Sequence, residues 1–361
     1  MGQKPRPPFS VDQLNQMQRY LGEEMIEDYR EGELTRRQML RRLLGICGGA
    51  AAAAALLAAC GETVGSPTSA PAASNPTSPP EPTAAPEPTA APEPTAAPEP
   101  TAAPEPTAAP VATAAPGPSA GRSPLSVPAD DPEVSAGPIS YESDTTINAY
   151  IARPSAEGTY PGVIVIHENR GLTDHIRDVV RRVAKAGYIA LAPDLASRGG
   201  GTDQIGNDRL PGFFANANPE ELLRDLNAGV ETLAMQRGIA GDTFGVVGFC
   251  FGGAYTLRLA ANNPKIAAAV CYYGVTPEPA SQMAQTNAAI LGQYGGNDNR
   301  VNSTIPQLEE VMQANGKIFE SRVYEGANHA FNNDTGPNYN EAAAVEAWQA
   351  TLDWFNTYLK G

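Results

Sequence analysis

Between residues 138 and 361, short continuous apolar runs alternate with amphipathic helical patterns, and that alternation leaves few folds open. The runs are Gly162–His167, Tyr188–Pro193, Phe244–Phe249, Ala267–Tyr273, Ala288–Tyr294 and Ile318–Tyr324. Strands buried on both faces read this way, without the polar alternation of a half-exposed strand. Between them, Asp174–Lys185 sets Ile176, Val179, Val180 and Val183 on one face, and Glu220–Gln236 is amphipathic. A last helix over Glu341–Lys360 aligns Val345, Trp348, Leu352, Phe355 and Leu359 as a core stripe. Ile139–Ser143 and Thr146–Ala152 read as a short antiparallel pair. Repeated strand–helix units predict an α/β domain with a mostly parallel sheet and helices on both faces. In such sheets chemistry collects at the C-terminal strand ends.

That domain fills only the last part of the chain. Of 34 prolines, 20 fall in residues 61–134, a stretch with no Phe, Trp or Tyr, against 11 in 135–361. Such a stretch cannot bury enough apolar surface to offset its ordering entropy. Pro-Glu-Pro-Thr-Ala-Ala repeats five times from Pro80 to Ala109, and proline at this density forbids helix and sheet ladders. The expected organisation is therefore an address over 1–59, a Pro/Ala/Thr/Glu tether over 60–134, and one α/β domain over 135–361. Gly117-Pro118-Ser119-Ala120-Gly121 matches a nucleophile-elbow string letter for letter but lies in the tether, with no strand before it, and carries no chemistry.

The address is read from two signals in series. Arg36-Arg37 precedes an Ala/Gly-rich apolar run from Leu43 to Ala59, which resembles a twin-arginine export signal. The run ends Leu57-Ala58-Ala59-Cys60, which resembles a lipobox, so Cys60 is the expected lipidation site. An uncleaved membrane anchor is the alternative, although the run is short and alanine-dominated for a span. The segment Ser10–Gly32 before it has helical periodicity. Either reading puts the domain outside the cytoplasm, attached to the membrane only through its N-terminal lipid or anchor.

The net charge of −15 divides as +1 over 1–59, −8 over 60–134 and −8 over 135–361. An acidic domain on an acidic tether repels nucleic-acid backbones, so nucleic acid is not an expected partner, and no protein partner is predicted. Four cysteines, Cys47, Cys60, Cys250 and Cys271, are too few for a disulfide framework. Cys271 lies mid-strand and reads as an inert core thiol. No His/Cys/Asp spacing suggests a metal, and no phosphate-binding loop suggests a cofactor.

The chemistry-bearing residues sit at four strand ends. Gly248-Phe249-Cys250-Phe251-Gly252-Gly253 follows an apolar strand and opens a helix, the nucleophile-elbow arrangement with cysteine as nucleophile. The helix N-terminus beneath the sulfur favours thiolate. Among three histidines, His329 directly follows the last strand, whereas His167 ends a strand and His175 lies in a first helical turn. Asp298 follows the strand ending at Tyr294 and is the candidate carboxylate to orient His329. The chain order Cys250, Asp298, His329 is that of α/β-hydrolases.

His167-Glu168-Asn169-Arg170-Gly171, Ala192-Pro193-Asp194-Leu195, the Gly-Phe-Cys-Phe-Gly-Gly elbow, Tyr272-Tyr273-Gly274 and Gly326-Ala327-Asn328-His329-Ala330-Phe331 together resemble the dienelactone hydrolase (carboxymethylenebutenolidase-like) family, from about Tyr160 to Tyr358. The resemblance implies an α/β-hydrolase fold and a Cys–His–Asp triad that cleaves small esters or lactones. It assigns attack to Cys250, proton transfer to His329, orientation of His329 to Asp298, and hydrogen bonding of the resting thiol to Glu168. It also assigns the oxyanion hole to the backbone N–H groups of Asn169 and Phe251. Family members hold the substrate carboxylate with two arginines; Arg198 matches the first, and Asn333 stands where the second would be. Losing one charged anchor weakens carboxylate binding by about 1.5–3 kcal/mol. A broad carboxylesterase or polysaccharide deacylase and a non-catalytic binding module are the alternatives.

Overall fold

The structure, a computed structural model, describes residues 10–61 and 123–360. The repeat-bearing part of the expected tether, with the Gly117–Gly121 decoy, lies outside the described residues.

Eight strands form one sheet: β1 (Val134–Glu142), β2 (Thr146–Pro154), β3 (Tyr160–Ile166), β4 (Ile189–Pro193), β5 (Ile239–Phe249), β6 (Ile266–Tyr272), β7 (Ala289–Gly295) and β8 (Phe319–Tyr324). Their order is β1-β2-β4-β3-β5-β6-β7-β8. β1 and β2 pair antiparallel, β2 joins β4 antiparallel, and every later pair is parallel. This is the α/β-hydrolase arrangement; the apolar runs supply β3 to β8, but β8 lies at the sheet edge with Ile318 and Val323 exposed, so that run is not buried on both faces as expected. The helices of the body are α4 (Asp174–Lys185), α5 (Thr202–Ile205), α6 (Leu210–Asn216), α7 (Pro219–Ala234), α8 (Phe251–Asn262), α9 (Asn299–Asn302), α10 (Ile305–Ala314) and α11 (Glu341–Leu359). The crossover from β3 to β4 runs one way along the sheet and that from β4 to β5 runs back. Right-handed crossovers of opposite direction put α4 on one face and α7, α8 and α10 on the other. The direction reverses at β3, so a crevice opens beyond the ends of β3 and β5.

The core runs through the middle strands, where Val163–Ile166, Val246, Val247 and Ala268–Tyr272 are buried. The packed face of α11 is broader than the expected stripe and leaves out Val345. Trp348, Leu352, Phe355 and Leu359 pack on the core as expected, Val345 is exposed, and Ala343, Ala344, Ala347, Ala350 and Thr351 complete the face. The reason is proximity to the strands: Gly245 lies against Phe355 and Leu359, and small residues let the helix approach this closely.

Residues 123–134, expected in the tether, pack on the body instead. Val127 N–H donates to Asp178 (2.7 Å), and Arg181 Nε donates to the Val127 carbonyl (2.6 Å). The ordered domain therefore begins before residue 135. Beside this contact, Asp334 joins His175 Nδ1 (2.9 Å) and Arg182 (3.2 Å) in a buried network.

The N-terminal residues form three helices: α1 (Gln16–Arg30), α2 (Arg36–Cys47) and α3 (Ala50–Ala59). Asn15 caps α1 and Thr35 caps α2, each in a capping box closed by the Gln three residues on. The apolar run Leu43–Ala59 is not one continuous helix. Gly48, at φ +72°, ends α2, and the two helices meet at a bend of 113°. Among the described residues no single helix is long and apolar enough to cross a membrane. All three helices belong to the same compact unit as the α/β body.

Candidate active site

β5 ends at Phe249 and α8 begins at Phe251, so Cys250 alone makes the turn between strand and helix. Its φ and ψ are 54° and −118°, a conformation that costs a residue with a side chain about 1–3 kcal/mol. The surrounding backbone enforces it. Cys250 N–H donates to the Tyr272 carbonyl (3.1 Å), and its own carbonyl accepts from Ala254 N–H (3.1 Å). Glycine is required on both sides: a Cβ at 248 would lie 2.2 Å from the Gly252 oxygen, and one at 252 would lie 2.3 Å from the Ile166 oxygen. The elbow thus rests directly on the end of β3, and the Cys250 thiol is buried at the crevice floor.

The candidate acid and base arrive from the next strand ends. Asp298 follows β7 and caps α9, accepting from Val301 N–H through Oδ1 (3.1 Å). Its Oδ2 lies 2.5 Å from His329 Nδ1, in the turn after β8. His329 Nε2 is buried with no other hydrogen-bond partner among the described residues, and a ring nitrogen of His329 lies within 4.8 Å of Cys250 Sγ. With Nδ1 engaged by Asp298, Nε2 is the nitrogen that faces the thiol. Burial disfavours an imidazolium here, yet the Asp298 charge and hydrogen bond, with the thiol beside it, outweigh burial and raise the His329 pKa. Burial likewise favours a protonated Asp298, but His329 and then Arg300 hold its pKa down. Asp298 thus fixes the His329 tautomer that presents Nε2 and stabilises the imidazolium that forms when His329 takes up a proton.

The other expected residues divide. Asn169 follows β3 beside the elbow and lines the cavity over Cys250, and Phe251 is the first residue of α8, where a backbone N–H has no partner within the helix. Glu168 lines the same cavity, but its Oε2 accepts from Asn333 Nδ2 (2.7 Å), so Asn333 anchors a carboxylate inside the protein. Glu168 Oε1 is buried without a partner among the described residues. Arg198 does not join the site. Its Nε and Nη2 hold Asp225 bidentately (2.8 and 2.7 Å) and it also binds Asp144. The guanidinium that does line the cavity is Arg170, from the same loop as Glu168. The other histidines are structural: His167 bridges the Glu168 carbonyl (2.7 Å) and Leu195 N–H (3.1 Å), and His175 binds Asp334. Cys47, Cys250 and Cys271 are free thiols, and burial pushes Cys271 up to about 12. Cys60 caps the end of α3 and is partly exposed.

One residue at the centre is not foreseen from the sequence. Glu24, on α1, accepts from Cys250 Sγ through Oε2 (3.3 Å) and from Asn169 Nδ2 through Oε1 (2.7 Å). It takes the place beside the thiol that the resemblance gives to Glu168. Burial first, and the Glu24 charge second, push the Cys250 pKa up, while His329 opposes them. Glu24, Cys250 and His329 also form a three-donor set of the kind that holds a metal ion, which no local spacing announces. The periodic pattern of Ser10–Gly32 indicates a helix but says nothing of where it docks.

The family model described as "Dienelactone hydrolase family" matches residues 147–359. The chain belongs to the dienelactone hydrolase family. A Salmonella typhimurium protein named "Putative carboxymethylenebutenolidase" is 36% identical over 250 residues, spanning 65% of this chain and 92% of that one. A Bradyrhizobium protein named "Probable 2-oxo-3-(5-oxofuran-2-ylidene)propanoate lactonase" is 33% identical over 224 residues, spanning 59% of this chain and 90% of its own. Among solved structures, the "Putative Dienelactone Hydrolase" of Klebsiella pneumoniae superposes with a TM-score of 0.58 at 34% identity, over 62% of this chain and 99% of that one. This dienelactone hydrolase family member is accordingly a hydrolase, and its matched region leaves out α1, α2 and α3.

Proposed function

We propose that this hydrolase cleaves a small ester or lactone through Cys250, His329 and Asp298. The observation that carries the reading is the 2.5 Å contact between His329 Nδ1 and Asp298, which leaves Nε2 to face the Cys250 thiol. His329 takes the thiol proton as Cys250 attacks the carbonyl carbon. The N–H groups of Asn169 and Phe251 are assigned to the oxyanion, a contribution of about 2.7–4 kcal/mol per donor. Collapse of the tetrahedral adduct expels the alkoxide, which takes the proton from His329, and leaves an acyl thioester on Cys250. Water, deprotonated by His329, then releases the acid and restores the thiol. The resemblance assigns Glu168, whose Oε1 has no partner among the described residues, a hydrogen bond to the thiol that in this structure goes to Glu24. The names carried by the relatives favour a lactone; Arg170 is the cavity-lining cation that would meet an anionic one. Rapid quenching during turnover of p-nitrophenyl acetate is expected to give an acetyl group on the Cys250 peptide by mass spectrometry. Turnover with acetyl at any other residue, or at none, removes the assignment.

We infer also that the chain is exported and lipidated at Cys60. Arg36 and Arg37 are exposed on α2, where a transport receptor can read them, and Cys60 is accessible at the end of α3. In the producing cell, an inhibitor of lipoprotein signal peptidase is expected to raise the mass of the protein by that of residues 1–59. An unchanged mass would leave the uncleaved anchor.

A further inference from the structure

Helix α1 lies across the crevice where a substrate has to enter. Its Glu24 carboxylate spans the nucleophile and Asn169, and only about 40 Å³ of cavity remains over Cys250. That is room for about three waters. Tyr20, one turn earlier, donates to the Tyr273 carbonyl (3.1 Å), sets its ring edge-on to His329, and is covered by the Arg300 guanidinium at 4.6 Å. Glu27 binds Arg300 (3.3 Å).

The seat is built well beyond the active site. Gln16 donates to the Thr276 carbonyl (2.6 Å) and accepts from Arg258 (2.5 Å), and Arg19 pairs with Glu278. Arg41 and Arg42 on α2 meet Asp208, and Asn216 donates to the carbonyls of Gly45 and Ile46 (3.1 Å each). At one point the backbones touch: a Cβ on Gly212 of α6 would lie 3.0 Å from the Gly45 carbonyl carbon. Side chains buried among the three helices, Leu21, Leu43, Ile46 and Leu56, join the same hydrophobic core as the α/β body.

We propose that α1–α3 form an intramolecular plug that keeps this hydrolase silent until residues 1–59 are displaced or removed. The proposal rests on the reading of Cys250 as nucleophile. Glu24 acts as a false ligand, occupying the space between thiol and oxyanion loop that an ester carbonyl would take. Its negative charge opposes thiolate formation, so the nucleophile is blocked and also poorly ionised. Glu24, Asp28 and Glu33 all line the cavity, and burial, then Glu24 and Glu33, push Asp28 up to about 7, so the seat holds crowded carboxylates. The segment lies outside the region matched by the family model. Hydrolysis of the Ala59–Cys60 bond, the cut expected at the lipobox, consumes one water and detaches all three helices at once. Activity would then be tied to export.

The full chain tests this. Alkylation of Cys250 by iodoacetamide, read by peptide mass spectrometry, is followed beside hydrolysis of p-nitrophenyl butyrate and amide hydrogen exchange in α1. Wild type is expected to alkylate slowly and to turn over poorly. Gly212→Phe, which forces α2 away without touching the crevice, is expected to raise both rates at least tenfold. Glu24→Ala is expected to raise alkylation by a similar factor. If Gly212→Phe does not yield folded protein, Arg41→Asp with Arg42→Asp repels Asp208 and serves instead. Faster alkylation without turnover keeps the plug and removes the hydrolytic reading. Unchanged alkylation and turnover in a chain whose α1 amides have become exchangeable overturns the plug. So does a fall in turnover in Glu24→Ala, which would make Glu24 a participant in the reaction.

Discussion

Cys250→Ala is expected to lower ester hydrolysis by a factor on the order of 10³–10⁶, because in the proposed mechanism Cys250 is the one group that forms a bond to substrate. The oxyanion donors and the binding surface would survive, so a small residual rate over water is expected. KM should change little, since the methyl group removes no part of the binding surface except sulfur. Cys250→Ser should recover only a small fraction of the loss. A serine hydroxyl is far less acidic than a thiol, so the same surroundings ionise it far less. The comparison is made within one background, with Gly212→Phe added to every chain so that α1 does not mask the result. Release of p-nitrophenol measures each rate. Equal rates with Cys250 intact and with Cys250→Ala would show that the thiol plays no chemical part.

The second large effect is on folding. Gly252→Ala adds one methyl at the first turn of α8, and that methyl would lie 2.3 Å from the Ile166 oxygen and 2.4 Å from the His167 oxygen. Both are backbone atoms at the end of β3, so neither can swing aside as a flexible side chain would. The elbow and β3 have to separate, which breaks packing at the most buried part of the sheet. Destabilisation is expected to exceed about 3 kcal/mol, above the usual range for an overpacked core site. That corresponds to a Tm lower by at least roughly 6–12 °C, or to protein that does not accumulate in soluble form. A normal Tm by calorimetry would mean that the elbow can relax, and the explanation of its glycines would fail. Gly316→Ala is the control for added bulk, since nothing lies within 4 Å of its Cβ position, although its φ of +62° carries a strain of its own.

Most of the α/β body is legible in the sequence because its signals are local. Strands buried on both faces must be apolar throughout, so the run at Phe244–Phe249 declares itself without reference to any other segment. The elbow at Cys250 is likewise local, since strand, turn and helix are contiguous and glycine is needed where backbones meet. Asp298 and His329 stand out by their place after consecutive strands, and the sheet order brings them together at 2.5 Å.

Side-chain partners are not legible in the same way. Arg198 has the position of a substrate anchor, yet Asp225 and Asp144, which share no local pattern with it, hold it elsewhere. Asn333 has the position of a lost anchor and instead holds Glu168. Residues 123–134 carry the composition of a tether, but Asp178 and Arg181 on α4 capture that stretch. A hydrogen bond of about one or two kcal/mol leaves no trace in composition.

By itself, then, the sequence determined the class of sheet, the elbow that carries Cys250 and the order in which Cys250, Asp298 and His329 follow their strands, since each depends on the backbone's local needs at one strand end. Only the tertiary structure decided what stands over Cys250. Glu24 and Cys250 are separated by 226 positions and meet through a carboxylate, an amide and a helix docked by contacts scattered over three segments. Long-range docking of this kind is chosen by shape and by paired polar groups in space, and periodicity along the chain records neither.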